Sequence, residues 1–216
     1  MLVKERMSHP VITVHPDVTM QEALDLLHKE HIRRLPVVNK QGKLIGIISE
    51  RMLLKAAPSD ATTLSVWEIK EAMNKVTVEK LMTREVITVA EDTPVEEAAR
   101  IMMDKEISGL PVTRGDKLVG FITETDLFEI FLEMFGAREH GVRITALVDR
   151  GPGKLAALTK AIYELGGDIV ALGISGGETT ENGTITFKVS GVVQEALVKG
   201  IIPLVEKVID VRDTRV

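Results

Sequence analysis

Thr123 and Asp126 stand three residues apart at the end of Lys117-Leu118-Val119-Gly120-Phe121-Ile122-Thr123-Glu124-Thr125-Asp126-Leu127, a stretch that reads as a short buried strand running into a helix. A hydroxyl at the N-cap and a carboxylate at N3 meet the free amides and the positive end of the helix dipole. The same hydroxyl, carboxylate and helix N-terminus could also hold a ribose phosphate. Taken alone, these residues favour the helix cap over the ligand site. The chain contains the stretch twice, and that bears on the choice.

Other chemistry is largely excluded. The chain has 216 residues, 44% hydrophobic and 27% charged, enough for one to three compact domains. A net charge of −5 and a pI near 5.6 argue against a sequence-independent grip on nucleic acid. With no cysteine, disulfides, thiolate zinc sites and cysteine nucleophiles are ruled out, and a reducing, cytoplasmic setting is expected. The first residues, Met1 to Arg6, carry no apolar core of signal-peptide length, and no uncharged apolar run is long enough to span a membrane. Aromatics make up 3%, leaving few stacking platforms, so Val, Ile, Leu, Ala and Met must build the core. The histidines are His9, His15, His28, His31 and His140; His28 and His31 lie one helical turn apart but lack an evident third metal ligand, and read as solvated helix residues. There is no Gly-x-Ser-x-Gly elbow, Walker loop or Rossmann fingerprint, and Gly173-Ile174-Ser175-Gly176-Gly177 lacks the strand–turn–helix context of one. No enzyme, metal or cofactor is expected.

The repeat organises the first 135 residues. Val11-Ile12-Thr13-Val14 recurs as Val86-Ile87-Thr88-Val89, an offset of 75 that also relates Glu22-Ala23 to Glu97-Ala98 and Leu35-Pro36-Val37 to Leu110-Pro111-Val112. After a one-residue deletion, Lys43-Leu44-Ile45-Gly46 matches Lys117-Leu118-Val119-Gly120. Each copy predicts β-α-β-β-α: a strand (11–14; 86–89), a helix, a strand (35–38; 110–113), a Gly-containing turn, a strand (44–48; 118–122) and a closing helix. Capping boxes are predicted at Thr19-Met20-Gln21-Glu22 and at Thr93-Pro94-Val95-Glu96, the latter with Pro at N1. Residues 57–63 form a polar loop, after which Ser65-Val66-Trp67-Glu68 opens a linking helix whose Trp67 is expected to pack across the seam between copies. So small a unit buries too little alone, which favours two copies packed together.

Val-Ile-Thr-Val, Ile-Arg-Arg-Leu-Pro-Val-Val, Ile-Ser-Gly-Leu-Pro-Val and Gly-Phe-Ile-Thr-Glu-Thr-Asp, in this order, make the duplicated part resemble a pair of cystathionine β-synthase (CBS) domains, the Bateman module. The expected division is CBS domain 1 over 1–57, a linker with a helix over 58–75 and CBS domain 2 over 76–136.

The remainder, 141–216, predicts β-α-β-β-α-β with a tight turn at Asp149-Arg150-Gly151-Pro152-Gly153-Lys154-Leu155 and a polar hairpin loop over 175–183. Its Pro-Gly-x-Leu resembles the first turn of an ACT domain. The resemblance implies a ferredoxin-like fold, used for dimerisation or for a ligand at Arg150, Gly151, Gly153 and Asp168. Asp168 stands where amino-acid-binding members often have Asn, which would suit a ligand ammonium and repel a carboxylate. The fold class is thus α+β, and the layout resembles the acetoin-utilisation protein B group of bacterial regulators.

The CBS resemblance also implies a site. In that family Gly-x-x-[Ser/Thr]-x-x-Asp contacts the ribose of an adenosine nucleotide, and each site is shared between copies. Carried over, Thr123, Thr125 and Asp126 face Met7, Ile12, Ile32, Arg33 and Arg34, the arginines being natural phosphate partners. A second site at Ser49, Ile87, Ile107 and Ser108 is expected to be weak, because copy one has Met52 where the carboxylate should be. The function implied is a cytoplasmic, homodimeric, non-enzymatic sensor of AMP, ADP, ATP or a related adenosyl ligand. The apolar run from Leu127 to Phe135 serves either as a dimer contact or as core. The alternative is an adaptor acting through protein contacts without a small ligand.

Overall fold

Short aliphatic runs broken by turns and capped helices give one small sheet per copy. The computed structural model describes residues 1–57 and 65–214, so the polar loop expected over 57–63 lies, apart from Ala57, outside the described residues. The chain divides into two compact units, Met1–Leu127 and Phe128–Val216.

Copy one contains α1 (Met20–Lys29), β1 (Arg34–Val38), β2 (Leu44–Ser49) and α2 (Glu50–Ala56). Two helices, α3 (Val66–Asn74) and α4 (Val78–Leu81), lead to copy two: β3 (Val89–Ala90), α5 (Val95–Asp104), β4 (Gly109–Arg114), β5 (Lys117–Thr123) and α6 (Glu124–Met134). The antiparallel pairs β1/β2 and β4/β5 share one register. Arg34 opposes Ser49 as Gly109 opposes Thr123, Val37 opposes Gly46 as Val112 opposes Gly120, and each pair then has a bulge. Equal spacing of the apolar residues within each strand explains the equal register, the one-residue deletion falling in the turn. Ala23, Leu27, Leu35, Val37 and Ile48 fill one core together with Leu24 and Leu53; Ala98, Met102, Leu110, Val112 and Ile122 are the buried counterparts of the first five.

Three local expectations need correction. The strands expected over 11–14 and 86–89 shrink to a bridge between Val14 and Val37 and to the two residues of β3, because the residues before them leave for the other copy. Thr93 does not cap α5: that helix starts at Val95 with Pro94 at the N-cap and no side-chain bond. The offset of 75 sets Pro94, not Thr93, opposite Thr19, and a prolyl ring offers no acceptor. Trp67 is 84% exposed rather than packed in a seam. The helix it sits on turns Ile69 and Met73 to the core, leaving Trp67 on the far side. The other boxes form: Thr19 N donates to Glu22 Oε2 at 2.9 Å and Ser65 N to Glu68 Oε2 at 2.7 Å.

The second unit runs β6 (Gly141–Asp149), α7 (Lys154–Glu164), β7 (Asp168–Gly176), β8 (Asn182–Ser190), α8 (Gln194–Ile201) and β9 (Lys207–Thr214). Its antiparallel sheet has the order β7-β8-β6-β9. Ile144, Ile185 and Phe187 pack against Leu158, Ile162 and Leu197. The hairpin loop is shorter than expected, since β7 reaches Gly176 and β8 starts at Asn182. No helix among the described residues is long and apolar enough to cross a membrane.

Candidate functional site

The site arises from an exchange between copies. The backbone of Ser8, ahead of copy one, pairs with Phe121 in β5 of copy two, at 2.9 and 3.1 Å. Thr83, ahead of copy two, pairs in the same way with Ile47 in β2, at 2.9 Å in both directions. These pairs are two-fold equivalents under the repeat, and Lys43 bridges Lys117, its own counterpart, between them. Close approach of the exchanged segments needs glycine: a Cβ on Gly120 would lie 2.1 Å from Met7 Sδ, and one on Gly46 would lie 2.5 Å from Met82 Sδ.

One consequence is a cavity of about 410 Å3 in the first unit, formed from both copies. Pro10, Val11, Ile12, Ile32, Pro36 and Phe121 supply its apolar wall. Arg33, Arg34, Ser108, Thr123, Thr125 and Asp126 supply polar groups, with Ser8, His31 and Glu124 completing the lining.

Thr123 and Asp126 are positioned by the β5–α6 junction, where buried Ile122 anchors the strand. Asp126 Oδ2 accepts from Thr123 N at 2.7 Å and from Thr123 Oγ1 at 2.8 Å, and Asp126 N donates back to Thr123 Oγ1 at 3.3 Å. The helix-cap reading is therefore realised, with the second carboxylate oxygen, Oδ1, taking no hydrogen bond among the described residues. Glu124 N donates to Ser108 O at 3.3 Å, tying the helix start to the residue before β4.

Arg34 crosses between copies, its Nη2 donating to Ser108 Oγ. Partial burial pulls its guanidinium below the usual arginine range; the Glu124 carboxylate opposes that shift and Arg33 adds to it. Arg33 is exposed at the cavity mouth.

Of the residues expected at this site, Thr123, Thr125, Asp126, Ile12, Ile32, Arg33 and Arg34 line one cavity. Met7 does not line it and packs over Gly120 instead. Ser108, assigned by repeat logic to the second site, lines this first cavity, because Arg34 reaches it there. Phe121, Pro10 and His31 were missed. His31 carries φ 54° at the end of α1, and nothing local in the sequence marks that residue as facing a site in the other copy.

The remaining second-site residues lie apart from this cavity. Ser49 caps α2, accepting from Met52 N at 3.3 Å as Thr123 accepts from Asp126 N. Met52 packs against the core of copy one, Ile107 is half-buried and Ile87 is 38% exposed. His28 Nε2 pairs with Glu50 Oε1 at 3.0 Å, and among the described residues no group of three His, Cys, Asp or Glu is placed to hold a metal.

In the second unit Arg150, Gly151 and Gly153 share the β6–α7 turn. Arg150 Nε donates to Asn182 O at 2.9 Å, and Gly153, at φ 83°, starts α7 in a conformation that favours glycine. Asp168 does not join them. It pairs with Ser190 at the start of β7, whereas Asp149 pairs with Asn182 at the opposite end of the sheet, roughly 25 Å away along the strands. The crossover through α7 returns the chain to the edge where β6 began, which separates these residues.

A pair of β-α-β-β-α units sharing a cavity that carries Gly-x-x-Thr-x-x-Asp defines the class, and comparison with known proteins agrees. The chain belongs to the CBS-domain family, whose model matches residues 3–59 and 78–133. It is similar to L-aspartate semialdehyde sulfurtransferase of Methanocaldococcus jannaschii, 38% identical over 133 residues that cover 60% of this chain and 23% of that protein. The chain thus spans about a quarter of that relative's length.

Among solved structures, a CBS domain pair in complex with 5′-methylthioadenosine and S-adenosyl-L-methionine is 37% identical, with TM-score 0.52, covering 64% of this chain and 98% of that one. A Vibrio cholerae protein described as an acetoin utilization protein, AcuB, is 28% identical, with TM-score 0.53 and coverages of 64% and 95%. CBSX2 in complex with AMP is 26% identical, with TM-score 0.53 and coverages of 62% and 97%.

Proposed function

We propose that this protein is a non-enzymatic, cytoplasmic regulator that binds an adenosine nucleotide, or a related adenosyl ligand, in the cavity between its CBS copies. The observation that carries the reading is the convergence of Thr123 and Asp126 from copy two with Ile12, Ile32 and Arg33 from copy one on one cavity. The uncommitted Asp126 Oδ1 suits the vicinal hydroxyls of a ribose, and the apolar wall suits a purine. Adenosyl ligands bound to the related CBS pairs support this choice. With Met52 in place of the carboxylate, the sister position binds weakly or not at all.

The second unit is read as a ferredoxin-like ACT domain, supported by its β-α-β-β-α-β order, its β7-β8-β6-β9 sheet and its Pro152-Gly153-Lys154-Leu155 turn. Its role is dimerisation in a homodimer or capture of an amino acid or another small ligand. A layout like the acetoin-utilisation protein B group follows, supported by the Vibrio cholerae neighbour. Ligand acts by linkage, favouring whichever arrangement of protomers binds it better.

An adaptor role has one observation in its favour: Phe128, Phe131 and Met134 of α6 are 68%, 54% and 61% exposed. Calorimetric titration with AMP and ATP separates the two readings. Saturable heat supports the regulator; no heat and no thermal shift at millimolar nucleotide leaves the adaptor.

A further inference from the structure

Methionine sulfur sits at both places where the copies exchange segments. Met7 packs over Gly120, and Met82, its counterpart at the repeat offset of 75, packs over Gly46, each so closely that the glycine has no room for a Cβ. The two thioethers differ in access: Met82 is 8% exposed, whereas Met7 is half-buried and reachable from solvent. The chain has no cysteine, so its oxidisable sulfur is all thioether. Met1, Met103 and Met134 are exposed, and an oxygen added there projects into water. At Met7 the added oxygen has consequences. Ser8, the next residue, pairs in both directions with Phe121, and Ser8, Pro10, Val11, Ile12 and Phe121 all line the cavity.

We propose that Met7 is an oxidation site whose state controls the cavity. The oxidant is a hydroperoxide, here hydrogen peroxide: the sulfur lone pair attacks one oxygen, the S–O bond forms and the O–O bond breaks. The proton of the transferred oxygen passes to the departing one, which leaves as water; sulfur loses two electrons and the peroxide gains them. The sulfoxide is polar and bulkier than the thioether, and the surface of Gly120 that Met7 covers has no space for it. Met7 then leaves Gly120 for water, and residues 8–12 lose the contact that holds them on β5. The effect on ligand rests on the adenosyl reading of the cavity; the modification itself does not.

The test treats the full chain with graded hydrogen peroxide and follows each methionine by peptide mass spectrometry. AMP is titrated calorimetrically at each stage, in the wild type and in Met7→Leu. Met7 is expected to be oxidised before Met82, and wild-type AMP affinity to fall about tenfold as Met7 sulfoxide accumulates, the scale of burying one unpaired polar group. Met7→Leu conserves side-chain volume and is expected to keep its AMP affinity and melting temperature through the same treatment. Methionine sulfoxide reductase should restore wild-type binding. Unchanged affinity at complete Met7 oxidation, a parallel loss in Met7→Leu, or oxidation of Met82 ahead of Met7 overturns the proposal and leaves the adenosyl reading standing. If AMP does not bind the untreated chain, that reading fails. The proposal is then decided by melting temperature, which oxidation should lower in the wild type and not in Met7→Leu.

Discussion

Arg34 of the first CBS copy donates through Nη2 to the hydroxyl of Ser108 in the second, and Ser108 is the repeat counterpart of Arg33. The two-fold relation that governs the backbone therefore stops at these side chains. Where copy one has Arg33-Arg34, copy two has Ser108-Gly109, so both cations belong to one side of the module. Gly109 also has little room for a side chain, since a Cβ there would lie 2.8 Å from the Phe121 ring. The asymmetry of the two copies starts here and is completed by Asp126 against Met52.

Asp126→Ala is expected to reduce adenosyl-ligand binding below detection in calorimetry. It also removes the N3 carboxylate that caps α6, which should lower stability by about 1 kcal/mol in chemical denaturation. Normal binding by this variant would show that the ligand does not use the carboxylate.

Met52→Asp restores an acceptor beside Ser49, where backbone geometry already repeats that of Thr123. The number of ligands bound per chain should rise from one toward two, with the new site the weaker because Ser108 and Gly109 replace the arginines. Unchanged stoichiometry would mean that more than the carboxylate is missing there.

Gly120→Ala places a methyl against Met7, whose Sδ, Cγ and Cβ all lie within 3.1 Å of the added atom. The overpacking should cost about 1–3 kcal/mol. Because Met7 supplies the three nearest contacts, Gly120→Ala should cost much less in a Met7→Ala background, a coupling that a double-mutant cycle measures directly. Additive losses would contradict the contact.

Glu22 is held below the usual carboxylate range, first by the backbone N–H of Thr19 and then by its hydroxyl. A carboxylate with a lowered folded-state pKa stabilises the fold above its unfolded pKa, and that stabilisation disappears as pH falls through the folded value. Glu22→Gln should therefore lower stability at neutral pH and flatten its decline in acid. Denaturation midpoints from neutral pH down to pH 3 test this, and parallel curves for the two proteins would exclude it.

Trp67 is the sole tryptophan of the sequence and is 84% exposed. Its fluorescence should have a water-like emission maximum and be quenched readily by acrylamide. Trp67→Ser should change stability by no more than about 0.5 kcal/mol. A blue-shifted, protected emission would place the side chain in a contact that the structure does not contain.

The features legible in the sequence are those with short-range causes. Thr19 with Glu22, Ser65 with Glu68 and Thr123 with Asp126 are hydrogen-bonded partners three residues apart, so a few residues suffice to reveal them. The common register of β1/β2 and β4/β5 follows from matching apolar spacing, and the Met52 substitution is visible once the copies are aligned. One residue of slippage was enough to misplace the second cap at Thr93 rather than Pro94.

By itself, then, the sequence determined a duplicated β-α-β-β-α unit, the caps at Thr19, Ser65 and Thr123, and the one copy that carries a carboxylate three residues after its cap, because these depend on neighbours in the chain. Only the tertiary structure decided that Ser8 pairs with Phe121 and Thr83 with Ile47, that Ser108 lines the Asp126 cavity, and that Asp168 lies far from Arg150. The two copies present nearly equivalent strand edges to each leading segment. Which edge is taken depends on packing and chain closure over tens of residues, and local residue preferences do not encode that choice.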